Sequence, residues 1–167
     1  NGTLDILLIN KRTSIDYKIK KNSLNFSSSN NNNDFKGKMD FKPFYLHIDF
    51  NYNGLSTRKA LDQDSIIFDL IKSEIFNNSN LNINLNLNVK DIVNIDELND
   101  LKLKVFVEEG NINVSESSIY WKDDFNIVLR ESLINNYNDS INLIGKVYIK
   151  IEDLDNFYKS FQIKKNF

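Results

Sequence analysis

Hydrophobic and polar residues alternate over much of the chain, most clearly in residues 81–89. There every odd-numbered residue is aliphatic and every even-numbered residue is asparagine. Successive side chains of a β-strand point to opposite faces, so this segment is expected to have one apolar and one polar face. A helix would spread the same side chains around its circumference, and asparagine disfavours helix interiors. The pattern therefore predicts a strand.

The same alternation predicts further strands, and they are expected to form an antiparallel meander. The additional alternating segments lie at 15–19, 45–50, 101–107 and 145–151. Glu109-Gly110 is a predicted turn, and the polar stretch Ser27–Asn33 is a predicted hairpin loop. Strands 119–121 and 125–129 flank Lys122-Asp123-Asp124, which predicts a hairpin tip. Short connections between consecutive strands favour antiparallel pairing, and so does one apolar face per strand.

Two segments have helical spacing instead. Residues 56–76 carry apolar residues close to a helical period, with Asp64 or Ser65 as the N-cap. Near the end of the chain, residues 154, 157, 158 and 161 are apolar or aromatic and follow the acidic pair Glu152-Asp153. The predicted fold class is mainly β (α+β): a curved antiparallel meander sheet with one apolar face, one mid-chain helix and one short C-terminal helix.

The predicted organisation is a single β-rich domain, residues 1–167, that forms a fragment of a longer chain. The sequence begins Asn1-Gly2-Thr3, without an initiator methionine or a signal-like segment. Its longest aliphatic run, Ile6–Ile9, is far shorter than the roughly 20 apolar residues of a membrane-spanning helix.

Charge and composition exclude several classes of function. The net charge is −2, with 21 basic and 23 acidic residues interspersed, so no clustered basic face for nucleic acid is expected. The chain has no cysteine, which excludes a disulfide framework and a thiolate metal site.

The candidate catalytic residues are few. His47, the single histidine, is expected on the polar face of its strand, opposite Leu46 and Ile48, where a surface role is the simpler interpretation. The carboxylate pairs Asp123-Asp124 and Glu108-Glu109 consist of neighbours whose side chains point to opposite faces of a strand. We therefore predict no enzyme, no metal and no cofactor. A hydrolase that uses scattered carboxylates is the weaker alternative.

The apolar stripe itself is the strongest candidate site, and two uses of it remain open. It is either an ordinary closed core covered by the two helices, or an exposed surface that holds a ligand. The residues expected to line such a groove are Leu81, Ile83, Leu85, Leu87, Val89, Leu101, Leu103, Val105, Val107, Val147, Ile149 and Ile151.

The order of several short motifs resembles the C-terminal region of AsmA-like proteins of Gram-negative bacteria. The resemblance covers roughly residues 35 to 163 and consists of apolar and glycine positions at matching spacings. The motifs are Phe35-Lys36-Gly37 through Pro43-Phe44, Asn53-Gly54-Leu55, Glu109-Gly110-Asn111-Ile112, Leu143-Ile144-Gly145-Lys146-Val147, and Ile151-Glu152-Asp153-Leu154 followed by Phe157-Tyr158-Lys159-Ser160-Phe161.

This resemblance implies a non-catalytic module of the cell envelope. The family is similar to bridge-like lipid transfer proteins, in which a long curved sheet forms a hydrophobic groove across the periplasm. The expected ligand is a phospholipid or another acyl lipid, and the expected partners are adjoining segments of the same parent chain. The expected location is the periplasmic side of the inner membrane, with membrane association through the parent and a link to outer-membrane biogenesis. The alternative is a closed-core structural or interaction β-domain of an envelope or surface protein.

Overall fold

The computed structural model describes residues 1–8, 11–29, 33–56, 78–122, 124–137 and 140–163. These residues form one mixed sheet of eleven strands and a short helix, which confirms the mainly β class. The strands are β1 (Gly2–Leu8), β2 (Lys11–Lys20), β3 (Ser23–Ser29), β4 (Asn33–Phe41), β5 (Phe44–Ser56), β6 (Asn82–Val93), β7 (Leu98–Glu108), β8 (Asn111–Asn113), β9 (Ser118–Trp121), β10 (Phe125–Tyr137) and β11 (Ser140–Ile151), and the helix is α1 (Leu154–Ser160).

The strands follow one another across the sheet in chain order. Neighbouring strands from β1 to β5 are antiparallel, and so are those from β6 to β11. The short strands β8 and β9 share one position, since each pairs with both β7 and β10. The sheet therefore consists of two sets of five strand positions, and β1, β5, β6 and β11 all run in the same direction.

The two sets meet in a parallel pair, which corrects the prediction of a purely antiparallel meander. Strand β6 lies parallel to β5, with Leu46 opposite Ile83 and Phe50 opposite Leu87. Parallel neighbours need a long crossover connection, and residues 57–81 provide one. The predicted mid-chain helix, with Asp64 or Ser65 as its N-cap and its end near Phe76, falls in this connection and lies outside the described residues.

Most of the predicted hairpins are confirmed. Trp121 pairs with Phe125 across the predicted β9–β10 hairpin, and Glu109 and Gly110 form the turn between β7 and β8, with φ of 51° and 81°. The loop predicted over Ser27–Asn33 is too long, because β3 extends to Ser29 and β4 begins at Asn33. Ser28 is buried opposite Phe35, so these polar residues continue the strand.

The predicted C-terminal helix is confirmed as α1. The Asp153 side chain accepts a hydrogen bond from the backbone N–H of Asn156 at 3.0 Å, as an N-cap residue does. No residue of α1 is fully buried. Within the described part of the chain, no helix has the length and hydropathy required to cross a membrane.

Candidate functional site

One continuous apolar surface runs across the sheet, and we call it the apolar face. In β6 and β7, Ile83 pairs with Val107 and Leu87 with Leu103, and directly opposed residues share a face. On both sides of β6 and β7, the pairing of the further strands places more apolar side chains on this face. The other strands contribute Leu4, Ile15, Tyr17, Ile19, Leu24, Phe26, Phe35, Met39, Leu46, Ile48, Phe50, Tyr52, Ile112, Ile119, Trp121, Phe125, Ile127, Leu129, Ile134 and Leu143, in addition to the predicted lining residues.

Eleven of the twelve predicted lining residues lie in strands on this face. They are Ile83, Leu85, Leu87 and Val89 in β6, Leu101, Leu103, Val105 and Val107 in β7, and Val147, Ile149 and Ile151 in β11. Leu81 lies just before β6, where its N–H donates to the carbonyl of Asn78 at 3.0 Å. Leu81 is therefore a turn residue at the entrance of the strand.

Exposure varies strongly across the apolar face. Val107 is 1% exposed and packs with Ile112 in the small core cluster, against which Leu129 lies. At the β11 edge, Val147 is 62% exposed. The centre of the face is thus packed by its own side chains, while its β11 end is open to solvent.

An aromatic row crosses the first half of the apolar face, and the predicted lining residues did not include it. The ring centroids of Phe26 and Phe35 are 6.3 Å apart, those of Phe35 and Phe50 are 5.7 Å apart, and those of Phe50 and Tyr52 are 6.1 Å apart. The Phe26 ring lies over Gly37, where an added Cβ would meet its Cε2 at 2.5 Å. The alternating positions of these residues were the available signal, and pairing of β3, β4 and β5 brings them together.

Helix α1 covers one end of the apolar face with aromatic side chains. The ring centroid of Phe161 lies 5.7 Å from that of Trp121 and 5.5 Å from that of Phe125. The ring of Phe157 meets the ring of Phe125 edge-on, with 5.4 Å between their centroids. The indole Nε1 of Trp121 is buried there without a hydrogen-bond partner. Leaving such a donor unpaired costs about 1–3 kcal/mol, which offsets part of the aromatic packing.

The opposite face is polar along β5 and β6, as the alternation predicts. Asn86 Nδ2 donates to Asp49 Oδ1 at 2.8 Å, and Asn88 Nδ2 donates to Asn51 Oδ1 at 3.0 Å. The hydrogen bond from Asn86 is the main cause that lowers the pKa of Asp49, with smaller contributions from His47 and Lys36, while burial acts in the opposite direction. Side-chain amides and charges therefore keep this face hydrated.

His47 lies where the sequence places it, on the polar face. Its Nε2 is 3.1 Å from Asp49 Oδ2, and it stands in register between Lys38 and Asn84. These neighbours include no hydroxyl or thiol that the pair would activate, so the arrangement is an ordinary polar contact of a sheet surface.

The acidic pairs do not form a shared site among the described residues. Glu108 ends β7 and Glu109 lies in the following turn, whereas Asp123 falls outside the described residues. The carbonyl of Asp124 accepts the N–H groups of Glu152 and Asp153, which fixes the start of the helical segment. No cluster of three or more potential metal ligands occurs within the described ranges.

Comparison with known proteins gives no indication of the function of this chain. No family model, curated protein or solved structure matches this chain. The functional argument therefore rests on the apolar face, its exposure and its chemistry.

Proposed function

We propose that the apolar face holds lipid acyl chains and forms part of a hydrophobic β-groove. The observation that carries this proposal is that every strand position turns aliphatic or aromatic side chains to the same side, and that the edges of this surface are exposed. Monomeric soluble proteins rarely expose contiguous apolar patches larger than a few hundred Å², so an extended exposed patch favours an apolar partner.

The energetics of acyl-chain transfer suit such a surface. Burying a CH₂ group stabilises by about 0.8 kcal/mol, and a complete tail contributes on the order of 10 kcal/mol when fully covered. A single wall covers only one side of the tail, so the gain is smaller and the chain stays free to move along it. Rows of Leu, Ile and Val offer no hydrogen bonds that would hold a tail in one place. The lipid headgroup would remain at the rim, in water.

The cellular setting is proposed on the resemblance to AsmA-like proteins alone. In that setting the chain is a non-catalytic module on the periplasmic side of the inner membrane, and its parent supplies the membrane anchor. Adjoining segments of the parent would continue the groove toward the outer membrane.

Photocrosslinking tests the proposal with pairs of neighbouring residues on opposite faces. Ile149 and Lys150 are both exposed in β11, yet Ile149 belongs to the apolar face and Lys150 points the other way. In β7, the half-buried Leu103 belongs to the apolar face and the exposed Lys104 points the other way. A photoreactive amino acid at each position is mixed with phosphatidylcholine that carries a labelled acyl chain.

We expect at least tenfold more labelled lipid on Ile149 and Leu103 than on Lys150 and Lys104. Equal labelling within each pair would show that lipid does not select the apolar face. Absence of labelling at all four positions, together with absence of lipid in the purified protein by mass spectrometry, would favour the closed-core structural domain instead.

A further inference from the structure

Two neighbouring hairpin turns at one rim of the apolar face carry a cluster of lysines. The turn between β2 and β3 contains Lys21, with Lys20 just before it at the end of β2, and the turn between β4 and β5 contains Lys42. The N–H of Phe41 donates to the carbonyl of Asn22 at 2.9 Å, which holds the two turns side by side. We call Lys20, Lys21 and Lys42 the basic tip.

The basic tip is a local departure from a chain whose net charge is −2. Segments 18–24 and 38–44, which surround the two turns, contain five lysines and one carboxylate, that of Asp40. The Asp40 side chain already accepts a hydrogen bond from Lys38 at 2.7 Å. All three lysines of the basic tip are exposed, and within the described part of the chain none of them forms an ion pair. Their charges are therefore available to an anion.

Exposed apolar side chains lie directly beside the basic tip. Ile19 is 62% exposed and Phe41 is 42% exposed. Both belong to the apolar face, because Ile19 pairs with Leu24, and Phe41 lies two residues after Met39, which pairs with the same leucine. Cations at the rim thus adjoin an apolar surface, which matches a phospholipid with an anionic headgroup. A nucleic acid would use the cations but not the apolar side chains.

We propose that the basic tip binds the phosphate of an anionic phospholipid while an acyl chain of the same lipid lies on the apolar face at Ile19 and Phe41. This inference rests on the proposed function, since it names the headgroup class of the lipid that the apolar face holds. A lysine ammonium group is a point charge with three donors on a flexible stem, so it reaches a phosphate at the rim without a rigid pocket. A zwitterionic headgroup brings its own cation to the same lysines and is held less well.

The charge of this rim changes sign a few strands away. Strand β6 begins and β7 ends at the same rim, where Asn82 stands between Tyr45 and Glu108, and Glu109 follows in the turn to β8. Carboxylates repel an anionic headgroup, so the basic tip is the part of the rim that favours one. Exposed charges act over a Debye length of about 8–10 Å at ordinary ionic strength and about 3 Å at 1 M salt. The preference should therefore disappear at high salt.

Photocrosslinking at Ile19 measures the preference for the headgroup. A photoreactive amino acid at this position meets phosphatidylglycerol or phosphatidylcholine with the same labelled acyl chain, each as a trace component of unlabelled phosphatidylcholine vesicles. The vesicle surface is then the same in both arms, and only the headgroup of the labelled lipid differs. Each lysine near an anionic lipid contributes about fivefold to binding, so we expect about tenfold or more labelling by phosphatidylglycerol over phosphatidylcholine. In about 1 M NaCl the ratio should fall to within about twofold.

Two triple variants with the same change in net charge separate the basic tip from the overall charge. The first variant, which should lose the preference for phosphatidylglycerol, combines Lys20→Gln, Lys21→Gln and Lys42→Gln. The control variant changes exposed lysines of β6 and β7 and should keep the wild-type ratio; it combines Lys90→Gln, Lys102→Gln and Lys104→Gln. The melting temperature checks that both variants fold. An equal loss of preference in the two variants would refute a role for the basic tip.

The labelling pattern distinguishes failure of this inference from failure of the proposed function. Equal labelling of Ile19 by both lipids would overturn the headgroup preference and leave acyl-chain binding standing. Absence of labelling at Ile19, Ile149 and Leu103 with either lipid would overturn both. Loss of the preference on adding inorganic phosphate at the lipid concentration would show that the basic tip binds free phosphate instead. The same loss with duplex DNA at equal phosphate concentration would assign the basic tip to nucleic acid.

Discussion

The contact between Gly145 and Ser132 allows a quantitative test of the β10–β11 packing. Strand β10 has a bulge here, because the register shifts between Arg130 and Leu133, and Gly145 lies opposite the bulge. Glu131 has a φ of 48°, and Ser132 is fully buried. A Cβ added at Gly145 would lie 2.6 Å from Ser132 Cβ and 2.7 Å from Ser132 Cα, and still closer to Ser132 Oγ. The backbone atom cannot rotate away, so Gly145→Ala forces the two strands apart.

Overpacking of this kind usually costs about 1–3 kcal/mol, and we expect Gly145→Ala near the upper end because backbone is involved. For a chain of this size, each kcal/mol lowers the melting temperature by roughly 2–4 °C, which gives about 5–10 °C here. The measurement is thermal unfolding by circular dichroism, with chemical denaturation as a second determination of the free energy of unfolding.

Gly54→Ala is the matched control. A Cβ at Gly54 would meet Val93 Cγ2 at 3.4 Å, an ordinary contact, and Gly54 lies in a strand. We expect a change within about 0.5 kcal/mol, as for most exposed positions. The double variant Ser132→Gly with Gly145→Ala removes the clash with the side chain but not with Cα, so it should recover part of the loss. If Gly145→Ala has the same melting temperature as the wild type, the close approach of β10 and β11 at Gly145 is refuted.

Three further predictions concern single side chains. Phe161→Ala removes ring contacts worth about 0.5–1.5 kcal/mol each. We expect the fluorescence emission of Trp121, the only tryptophan, to shift to the red. Unchanged emission would mean that Phe161 does not pack against Trp121. Because the folded pKa of Asp49 is lowered, its contribution to stability is complete above the unfolded pKa of about 3.9 and is lost as the pH falls through the folded value. Asn86→Ala should therefore reduce the free energy of unfolding that is lost on acidification, by about 1 kcal/mol or less. An unchanged dependence of stability on pH would contradict this. Burial raises the pKa of Tyr52, so the folded state should lose stability as the pH rises above the unfolded pKa of about 10. The difference in phenolate absorbance between the wild type and Tyr52→Phe, followed against pH, measures the pKa of Tyr52.

Alternation of apolar and polar residues predicts the strands and their faces well, because successive side chains of a strand point to opposite faces. Residues 81–89 and 101–107 indicated both the strands β6 and β7 and the side of each that is apolar. The register between them follows from the same rule, since a slip of one residue would expose the apolar side chains. The helix α1 was predicted as well, from the spacing of its apolar and aromatic residues and from the acidic pair Glu152-Asp153 before it.

The parallel step and the aromatic row depend on how distant segments meet. Nothing in residues 44–56 or 82–93 distinguishes a parallel from an antiparallel neighbour, because both strands have one apolar and one polar face. A connection as long as residues 57–81 permits a parallel neighbour but does not require one. For the same reason Phe26, Phe35 and Phe50 did not stand out as a unit, since they are brought together only by the pairing of β3, β4 and β5.

The distribution of exposure distinguishes the apolar face from the inner face of an ordinary closed core. In a closed two-layer core, edge strands contact the second layer as central strands do, and their inward side chains are buried. Here burial is greatest around Val107 and Ile112, whereas Leu4 and Ile19 near one edge and Val147 near the other are each more than half exposed. An acyl chain that lies along the apolar face would cover these exposed side chains from above. Labelling of Ile149 by lipid would therefore show that an acyl chain uses the exposed end of the apolar face, whereas a closed core predicts no labelling there.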